Sequence, residues 1–161
     1  MLISLLGIAA LVALDQVTKY LAVAYLAPVG TLPFLPGVME LRYVVNDGMA
    51  FSMLSGNRWF LLIATGLVMA VLLGYLIWKK PESRLERAAL VLVLAGGMGN
   101  FIDRLLHGYV VDFFATTFID FAVFNVADCF VCVGVGLLLL AVLLEERRKK
   151  QTGGGQADGN A

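Results

Sequence analysis

Four long apolar stretches restrict the possible folds of this chain more than any other feature of its sequence. Soluble domains average about 45–50% apolar residues, whereas this sequence of 161 residues is 60% hydrophobic and has a mean hydropathy of +0.87. A helix of roughly 20 apolar residues crosses a bilayer, and within lipid every backbone polar group must be paired inside the segment. We therefore predict an all-α integral membrane bundle with four transmembrane helices, at about 2–25, 59–78, 85–105 and 122–144.

The segment between the first two apolar stretches, at about 30–57, has a different composition. It contains prolines, glycines, β-forming residues and the turn signal Asn46-Asp47-Gly48. This pattern predicts a small β-rich region instead of a helix. Its apolar side chains, such as that of Phe34, suit a surface that lies on the bilayer interface.

The remaining segments complete a single membrane-embedded domain at 1–150. The connection at 105–121 is predicted to be a loop or a short interfacial helix. The glycine-rich, polar end of the chain at 151–161 is predicted to be a disordered tail. Cys129 and Cys132 lie within an apolar run, so we expect both thiols to be buried and inert.

The distribution of basic residues predicts how the helices are oriented. The formal net charge is zero, which gives no indication of nucleic-acid binding. The loop at 79–87 and the segment at 147–150 each carry four basic residues, whereas the other two connections hold only Arg42, Arg58 and His107. By the positive-inside rule, the basic loop and both termini are cytoplasmic. The β-rich region and the third connection are therefore expected to be extracytoplasmic.

Polar residues are concentrated between Gly96 and Asp128, with apolar sequence on both sides. This stretch holds four aspartates, two asparagines and an arginine. Ionisable groups at a membrane boundary are costly, so their clustering indicates a functional site. With a rise of about 1.5 Å per residue, Asp15 lies about 20 Å from the cytoplasmic start of the first span, in the same outer layer as the cluster. Lys19, four residues later, shares the helix face of Asp15 and can pair with it.

Helical spacing places the polar residues of the third and fourth spans on shared faces. Asn100, Asp103 and Arg104 stand at i, i+3 and i+4, and Asn125 and Asp128 stand at i and i+3. The guanidinium of Arg104 is expected to hold a carboxylate through its fork of donors. The asparagines can orient other side chains through hydrogen bonds. The two helices are thus predicted to face each other with their polar sides.

Carboxylates are the groups best suited to chemistry in this chain. Ser52 and Ser55 have no histidine near them in sequence, and His107 is alone, so serine or cysteine hydrolysis is not favoured. Two carboxylates placed close together cannot both ionise, so one retains a proton while the other acts as a base. Such a pair can activate a water molecule, protonate a leaving amide and titrate as a unit.

Five motifs in this chain resemble those of the prolipoprotein signal peptidases (signal peptidase II), which are bacterial membrane aspartic proteases. The motifs follow the family's order along residues 15–128 and show no departure at a motif position. They are Asp15-Gln16-Val17-Thr18-Lys19, Asn46-Asp47-Gly48-Met49-Ala50-Phe51, Gly96-Gly97-Met98-Gly99-Asn100-Phe101-Ile102-Asp103-Arg104, Val110-Val111-Asp112-Phe113 and Phe124-Asn125-Val126-Ala127-Asp128.

The resemblance implies a role for each motif residue. Asp112 and Asp128 match the catalytic pair of the family. Other positions match residues that line the site, support it or cover the substrate, namely Asp15, Lys19, Asn46, Gly48, Ala50, Phe51, Asn100, Asp103, Arg104, Asn125 and Ala127.

The resemblance also implies a substrate and a location. The family removes the signal peptide of a prolipoprotein by cleaving just before a cysteine that carries diacylglyceryl, needs no metal or other cofactor, and is the target of the cyclic peptide globomycin. We therefore expect a multi-pass protein of the bacterial inner membrane with its active site near the outer face. A site contained within four spans requires no partner subunit, so a monomer is expected.

Three other functions are compatible with some of the residues. A small proton- or ion-coupled carrier would use Asp15, Asp103 and Asp128 as a relay, but it predicts carboxylates spread through the membrane depth and internal repeats. A divalent-metal site built from Asp103, Asp112 and Asp128 would suit a hard cation. A non-enzymatic membrane scaffold leaves the placement of the polar residues unexplained.

Overall fold

The computed structural model describes residues 1–48, 54–81 and 83–153. Four long helices are present, and three short strands form one small sheet. The helices are α1 at Leu2–Leu21, extended by a π-helical segment at Ala22–Leu26, then α2 at Arg58–Lys79, α3 at Arg84–Leu106 and α4 at Val126–Gly153. The strands are β1 at Thr31–Leu35, β2 at Met39–Asn46 and β3 at Val110–Thr116.

All four predicted spans are confirmed as helices long and apolar enough to cross a membrane. The largest difference in bounds is at α4, which was expected at 122–144. Residues 122–125 are not helical, because Phe124 exchanges backbone hydrogen bonds with Phe114 of β3. At its other end α4 continues to Gly153, with a Glu145–Lys149 pair at 2.6 Å in its last turns.

The predicted disordered tail at 151–161 is therefore wrong at its start, since residues 151–153 are helical. Charged residues with good helix propensity and an i,i+4 ion pair allow α4 to continue past the apolar run. Residues 154–161 lie outside the described part of the chain.

The predicted β-rich region is confirmed, but the sheet differs from the expectation in two ways. Its strand order is β1-β2-β3, with both pairs antiparallel. The connection at 105–121 was predicted as a loop or short helix, whereas it supplies strand β3, whose backbone pairs with β2. The turn signal at Asn46 ends β2, and the hairpin between β1 and β2 turns instead at Gly37, which has a φ of +74°.

Helix α3 is the centre of the bundle and packs against the other three helices. Of its most apolar window 44% is buried, compared with 11–22% for the other helices. Its contact with α4 is close because two glycines face the neighbouring helix. A Cβ on Gly96 would overlap the carbonyl of Ala127, and one on Gly134 would lie 2.9 Å from the carbonyl oxygen of Ala89. The absence of side chains at these two positions therefore allows α3 and α4 to approach closely.

The sheet packs on the C-terminal end of α1. Ala22 and Leu26 of the π-helical segment contact Val111 and Phe113 of β3 in one apolar cluster. This contact places Asp112, between those two residues on β3, at the same end of the bundle as Asp15 and Lys19. The cysteines lie away from this cluster on α4. Cys129 is half-buried and Cys132 is exposed, so the expectation that both are buried is wrong for Cys132.

Candidate active site

A buried ammonium group connects α1 to α3. Lys19 is only 4% exposed, and its Nζ lies 2.9 Å from Asp15 Oδ2 and 2.8 Å from Asp103 Oδ2. The same Nζ donates a hydrogen bond of 2.9 Å to Asn100 Oδ1. An ammonium carries three donors and no acceptor, so these three contacts satisfy it. The predicted pairing of Asp15 with Lys19 is confirmed.

Two further donors fix the carboxylates around this lysine. Gln16 Nε2 donates to Asp103 Oδ1 at 2.8 Å and lies 3.3 Å from the Gly99 carbonyl oxygen. The backbone N–H of Ala127 donates to Asp15 Oδ1 at 2.9 Å. Asp15 thus links the first span to the first turn of α4. Sequence reasoning missed Gln16 as a site residue, although an amide inside an apolar span is itself a signal of a polar contact.

The aspartates of β3 and α4 form the second part of the cluster. Asp112 is 2% exposed, and its two carboxylate oxygens each accept one side-chain amide. Asn125 Nδ2 donates to Oδ1 at 2.6 Å, and Asn46 Nδ2 donates to Oδ2 at 2.9 Å. Asn46 was expected above the site, and the structure places it in direct contact with an aspartate.

Asp128 takes part in a reciprocal cap at the start of α4. Its Oδ2 accepts the backbone N–H of Asn125 at 3.0 Å, and Asn125 Oδ1 accepts the backbone N–H of Asp128 at 3.0 Å. This arrangement is a capping box, which satisfies two donors that the first turn of a helix leaves free. The other oxygen of Asp128 accepts Asn100 Nδ2 at 2.7 Å. The sequence pattern Asn-x-x-Asp therefore caps the start of α4 and also contributes two side chains to the polar network.

Contrary to the expectation, Arg104 forms no ion pair with a carboxylate of the described residues. Its Nη2 donates to the carbonyl oxygen of Gly48 at 2.6 Å, and its Nη1 lies 3.5 Å from the carbonyl oxygen of Asn100. One backbone carbonyl just after β2 and one on α3 thus accept from the guanidinium, while Lys19 contacts the carboxylates of Asp15 and Asp103. Gly48 is therefore held against α3. Ala50 and Phe51, expected to contribute to the same region, lie outside the described residues.

Burial makes Asp112 a weaker acid than an exposed aspartate. Removal from solvent raises the pKa of its carboxyl from 3.8 to about 6. The hydrogen bond from Asn46 opposes the rise, the charge of Asp128 adds to it, and the hydrogen bond from Asn125 again opposes it. A proton on this carboxyl is therefore available at a pH where an ordinary aspartate has lost it.

The structure brings most of the predicted site residues into one network. Asn100 and Asn125 join its two halves, because Asn125 Nδ2 lies 3.2 Å from Asn100 Oδ1. His107 and Asp120, in contrast, are exposed. Within the described ranges, no three side chains of His, Cys, Asp or Glu are grouped to hold a metal ion. The geometry therefore gives no support to a metal site at Asp103, Asp112 and Asp128.

These features define a class of protein. Four apolar helices enclose, at one end of the bundle, a network of carboxylates and amides around two aspartates that come from different elements. One of those aspartates is buried and retains its proton more readily than usual. The chain is a multi-pass membrane protein, and its polar network has the groups that hydrolysis by a carboxylate pair requires.

Comparisons with known proteins identify the family. Residues 7–144 match the family model described as signal peptidase (SPase) II. The lipoprotein signal peptidase of Streptococcus pyogenes serotype M1 is 44% identical over 135 residues, which are 84% of this chain and 89% of that protein. The protein of the same name from serotype M5, strain Manfredo, is 43% identical with the same coverage.

Two solved structures are also similar to this chain, both described as bacterial membrane enzymes. The structure at 2.3 Å resolution has a TM-score of 0.85 and 34% identity, and the match covers 92% of each chain. The structure at 1.9 Å resolution has a TM-score of 0.79 and 35% identity, covering 89% of this chain and 94% of the other. The chain belongs to the signal peptidase II family and is a peptidase.

Proposed function

We propose that this protein removes the signal peptide from diacylglyceryl-modified prolipoproteins by cleaving the bond before the lipidated cysteine. The observation that carries the proposal is the shared network around Asp112 and Asp128, which is situated at one end of a membrane bundle. The family membership and the names of the streptococcal relatives support the substrate class.

Asp112 and Asp128 are proposed to act as the catalytic pair. One carboxylate removes a proton from a water molecule as the oxygen attacks the scissile carbonyl, and the other carboxyl gives its proton to the leaving amine. Asn125 supports this pairing because its side chain contacts both aspartates. Because the charge of Asp128 helps to raise the pKa of Asp112, the two carboxylates are expected to share one proton.

The other network residues are proposed to hold this pair and to receive the substrate. Asp15 anchors the first turn of α4 through Ala127, and Lys19 and Asp103 complete the buried ion pairs. Asn46 orients Asp112, while Arg104 fixes the end of β2 at Gly48. Ala50 and Phe51 are proposed, from the motif alone, to lie over the substrate.

The site is proposed to lie near the outer face of the bacterial inner membrane, with both termini in the cytoplasm. The polar network and the sheet lie where α1 and α3 end and where α2 and α4 begin, and the basic segments at 79–87 and 147–150 lie at the opposite ends of those helices. Basic residues favour the cytoplasmic side. The acyl chains of a lipidated cysteine remain in the bilayer, so a site at the outer interface is at the depth where the scissile bond must lie.

Complementation tests the proposed function in cells. Expression of this protein in a bacterium depleted of its own signal peptidase II is expected to restore processing, because the same lipidated precursors would be cleaved. The measurement is the ratio of lipidated precursor to mature lipoprotein on a gel. Persistence of the precursors, with the protein present in the membrane fraction, would contradict the proposal.

The raised pKa of Asp112 predicts the alkaline side of the pH profile. A carboxyl with a pKa of about 6 keeps its proton below that pH and loses it above, so the singly protonated pair is depleted as the pH rises. We expect kcat/KM for a lipidated substrate, which reports the ionisation of the free enzyme, to fall with an apparent pKa of about 6. An alkaline limb near pH 4, the range of an exposed aspartate, would contradict a buried acid.

A further inference from the structure

We propose that Lys19 is a positioning residue that acts on Asp128 through the side-chain amide of Asn100, so that Asp128 is the base of the pair. This inference rests on the proposed catalytic pair and assigns different roles to its two members. Lys19 itself has no contact with either Asp112 or Asp128 among the hydrogen bonds and ion pairs of the described residues. The charge of Lys19 acts on Asp112 through space, whereas its hydrogen-bonded connection to Asp128 runs through Asn100.

The ammonium fixes which way the amide of Asn100 points. Asn100 Oδ1 accepts from Lys19 Nζ at 2.9 Å and from Asn125 Nδ2 at 3.2 Å. Both of these groups are donors only. If the amide were reversed, its NH₂ would face an ammonium and its oxygen would face a carboxylate, so the contacts on both sides would become repulsive. The amide nitrogen is thereby held toward Asp128 Oδ1, at 2.7 Å.

The resulting chain of hydrogen bonds has one direction, from Lys19 to Asn100 to Asp128. A positive charge on the oxygen of an amide polarises it and strengthens the hydrogen bond that its N–H donates. Asp128 also accepts the backbone N–H of Asn125 at the beginning of a helix, where negative charge is favoured. Both contacts direct hydrogen-bond donors at the carboxylate of Asp128.

The surroundings of Asp112 differ in the source of their donors. The side-chain oxygens of its amide partners, Asn46 and Asn125, accept the backbone N–H groups of Gly48 and Asp128, respectively. Asp112 is also more deeply buried than Asp128. Both differences favour the same arrangement, in which Asp128 carries the negative charge and Asp112 carries the shared proton.

Other charged and titratable groups face Asp128 from every neighbouring element, and the test must leave them in place. Arg104 from α3, Asp112 from β3 and Cys129 from α4 itself interact electrostatically with Asp128. Asp15, Lys19 and Asp103 belong to the adjoining ion-pair cluster. Asn100→Leu removes the connecting amide with little change in volume and keeps every one of these groups. Lys19→Met removes the charge at the start of the chain of hydrogen bonds.

The experiment is the pH dependence of kcat/KM for a diacylglyceryl-modified prolipoprotein with wild type, Asn100→Leu, Lys19→Met and the double variant. We expect the acidic limb, where the base becomes protonated, to move up by about one pH unit in each single variant. A shift of one pH unit corresponds to about a tenfold change in the acid dissociation constant of the base. We expect the double variant to show no further move, because the two residues act in series. Lys79→Met, at the exposed end of α2, is the matched control and should leave the profile unchanged.

A purely structural role for Lys19 predicts a different result. Both variants would then lose thermal stability, the acidic limb would stay where it is in wild type, and this proposal would be overturned. If Lys19→Met does not fold, Lys19→Gln, which removes the charge but keeps a donor, takes its place. An unmoved limb in Asn100→Leu, in which both ion pairs of Lys19 remain, also overturns the proposal. Absence of cleavage by folded wild type would overturn the proposed function together with this inference, whereas cleavage with an unmoved limb would overturn the inference alone.

Discussion

Replacement of Asp112 or Asp128 by asparagine is expected to lower the rate of cleavage of a lipidated precursor by about 10³-fold or more. Each change keeps the size of the side chain but removes the group that exchanges a proton with water or the leaving amine, and proton transfer alone contributes about 10²–10⁴-fold. The variants should fold, since an asparagine oxygen can still accept one of the hydrogen bonds that each carboxylate accepts. The measurement is kcat with purified protein, together with the thermal unfolding temperature.

Asp120→Asn provides the matched control for these two variants. Asp120 lies between β3 and α4, as part of the same segment of the chain, but it is exposed. The same chemical change there is expected to leave kcat within about twofold of wild type, as is usual for an exposed surface position. Retention of most activity by folded Asp112→Asn or Asp128→Asn would show that the pair has been assigned wrongly.

Gly99→Ala is expected to destabilise the protein by about 3 kcal/mol or more. Alanine is favoured over glycine in a helix by about 1 kcal/mol, which alone would stabilise α3. However, a Cβ on Gly99 would overlap the carboxylate of Asp15, which is fully buried, and would press on the methyl group of Ala127. Overpacking costs about 1–3 kcal/mol, and displacement of a buried ion-paired carboxylate costs about 3–5 kcal/mol, so the unfavourable terms exceed the gain. The thermal unfolding temperature in detergent micelles measures the change.

Gly136→Ala is the control for Gly99→Ala. Gly136 is also in the middle of a helix, but no atom would lie within 4 Å of a Cβ added there. Helix propensity then acts alone, so this variant is expected to be neutral or slightly stabilised. Equal unfolding temperatures for the two variants would show that the close approach of Asp15 to Gly99 does not contribute to stability.

The helices and part of the network could be predicted because the signals for them are local. A span is recognised from the length and hydropathy of one continuous segment. The pair of Asp15 and Lys19, and the polar faces of Asn100 and Asp128, follow from the 3.6-residue period of a helix. Each helix brings its own residues to one face, so the sequence could predict that the polar faces of α3 and α4 meet.

The third strand could not be predicted in the same way. Val110–Thr116 is a short apolar run, and its pairing with β2 depends on backbone contacts with a distant part of the chain, such as Val44 opposite Asp112. Periodicity alone does not separate a short buried strand from a loop or a helical turn. The position of Asp112 between Asn46 and Asn125 was therefore open until the sheet was known.

The contacts of Arg104 and Gln16 were missed for a related reason. Arg104 donates to the backbone carbonyl of Gly48. Because every residue has a backbone carbonyl, the pattern of side chains does not indicate which one will accept. Charge complementarity instead suggested a carboxylate, which Lys19 already satisfies. Gln16 adjoins Asp15 in sequence, and its long side chain reaches Asp103 on a different helix, a contact that spacing within α1 does not indicate.

The most direct test of the central claim is the mass of the products formed by purified protein from a prolipoprotein with and without the diacylglyceryl group. We predict one cut in the lipidated precursor, immediately before the modified cysteine, which releases the intact signal peptide. The unmodified precursor, which lacks the acyl chains that place the bond at the interface, should be cleaved far more slowly. Cleavage at a different bond, equal cleavage of both precursors, or no cleavage by folded protein would contradict the claim.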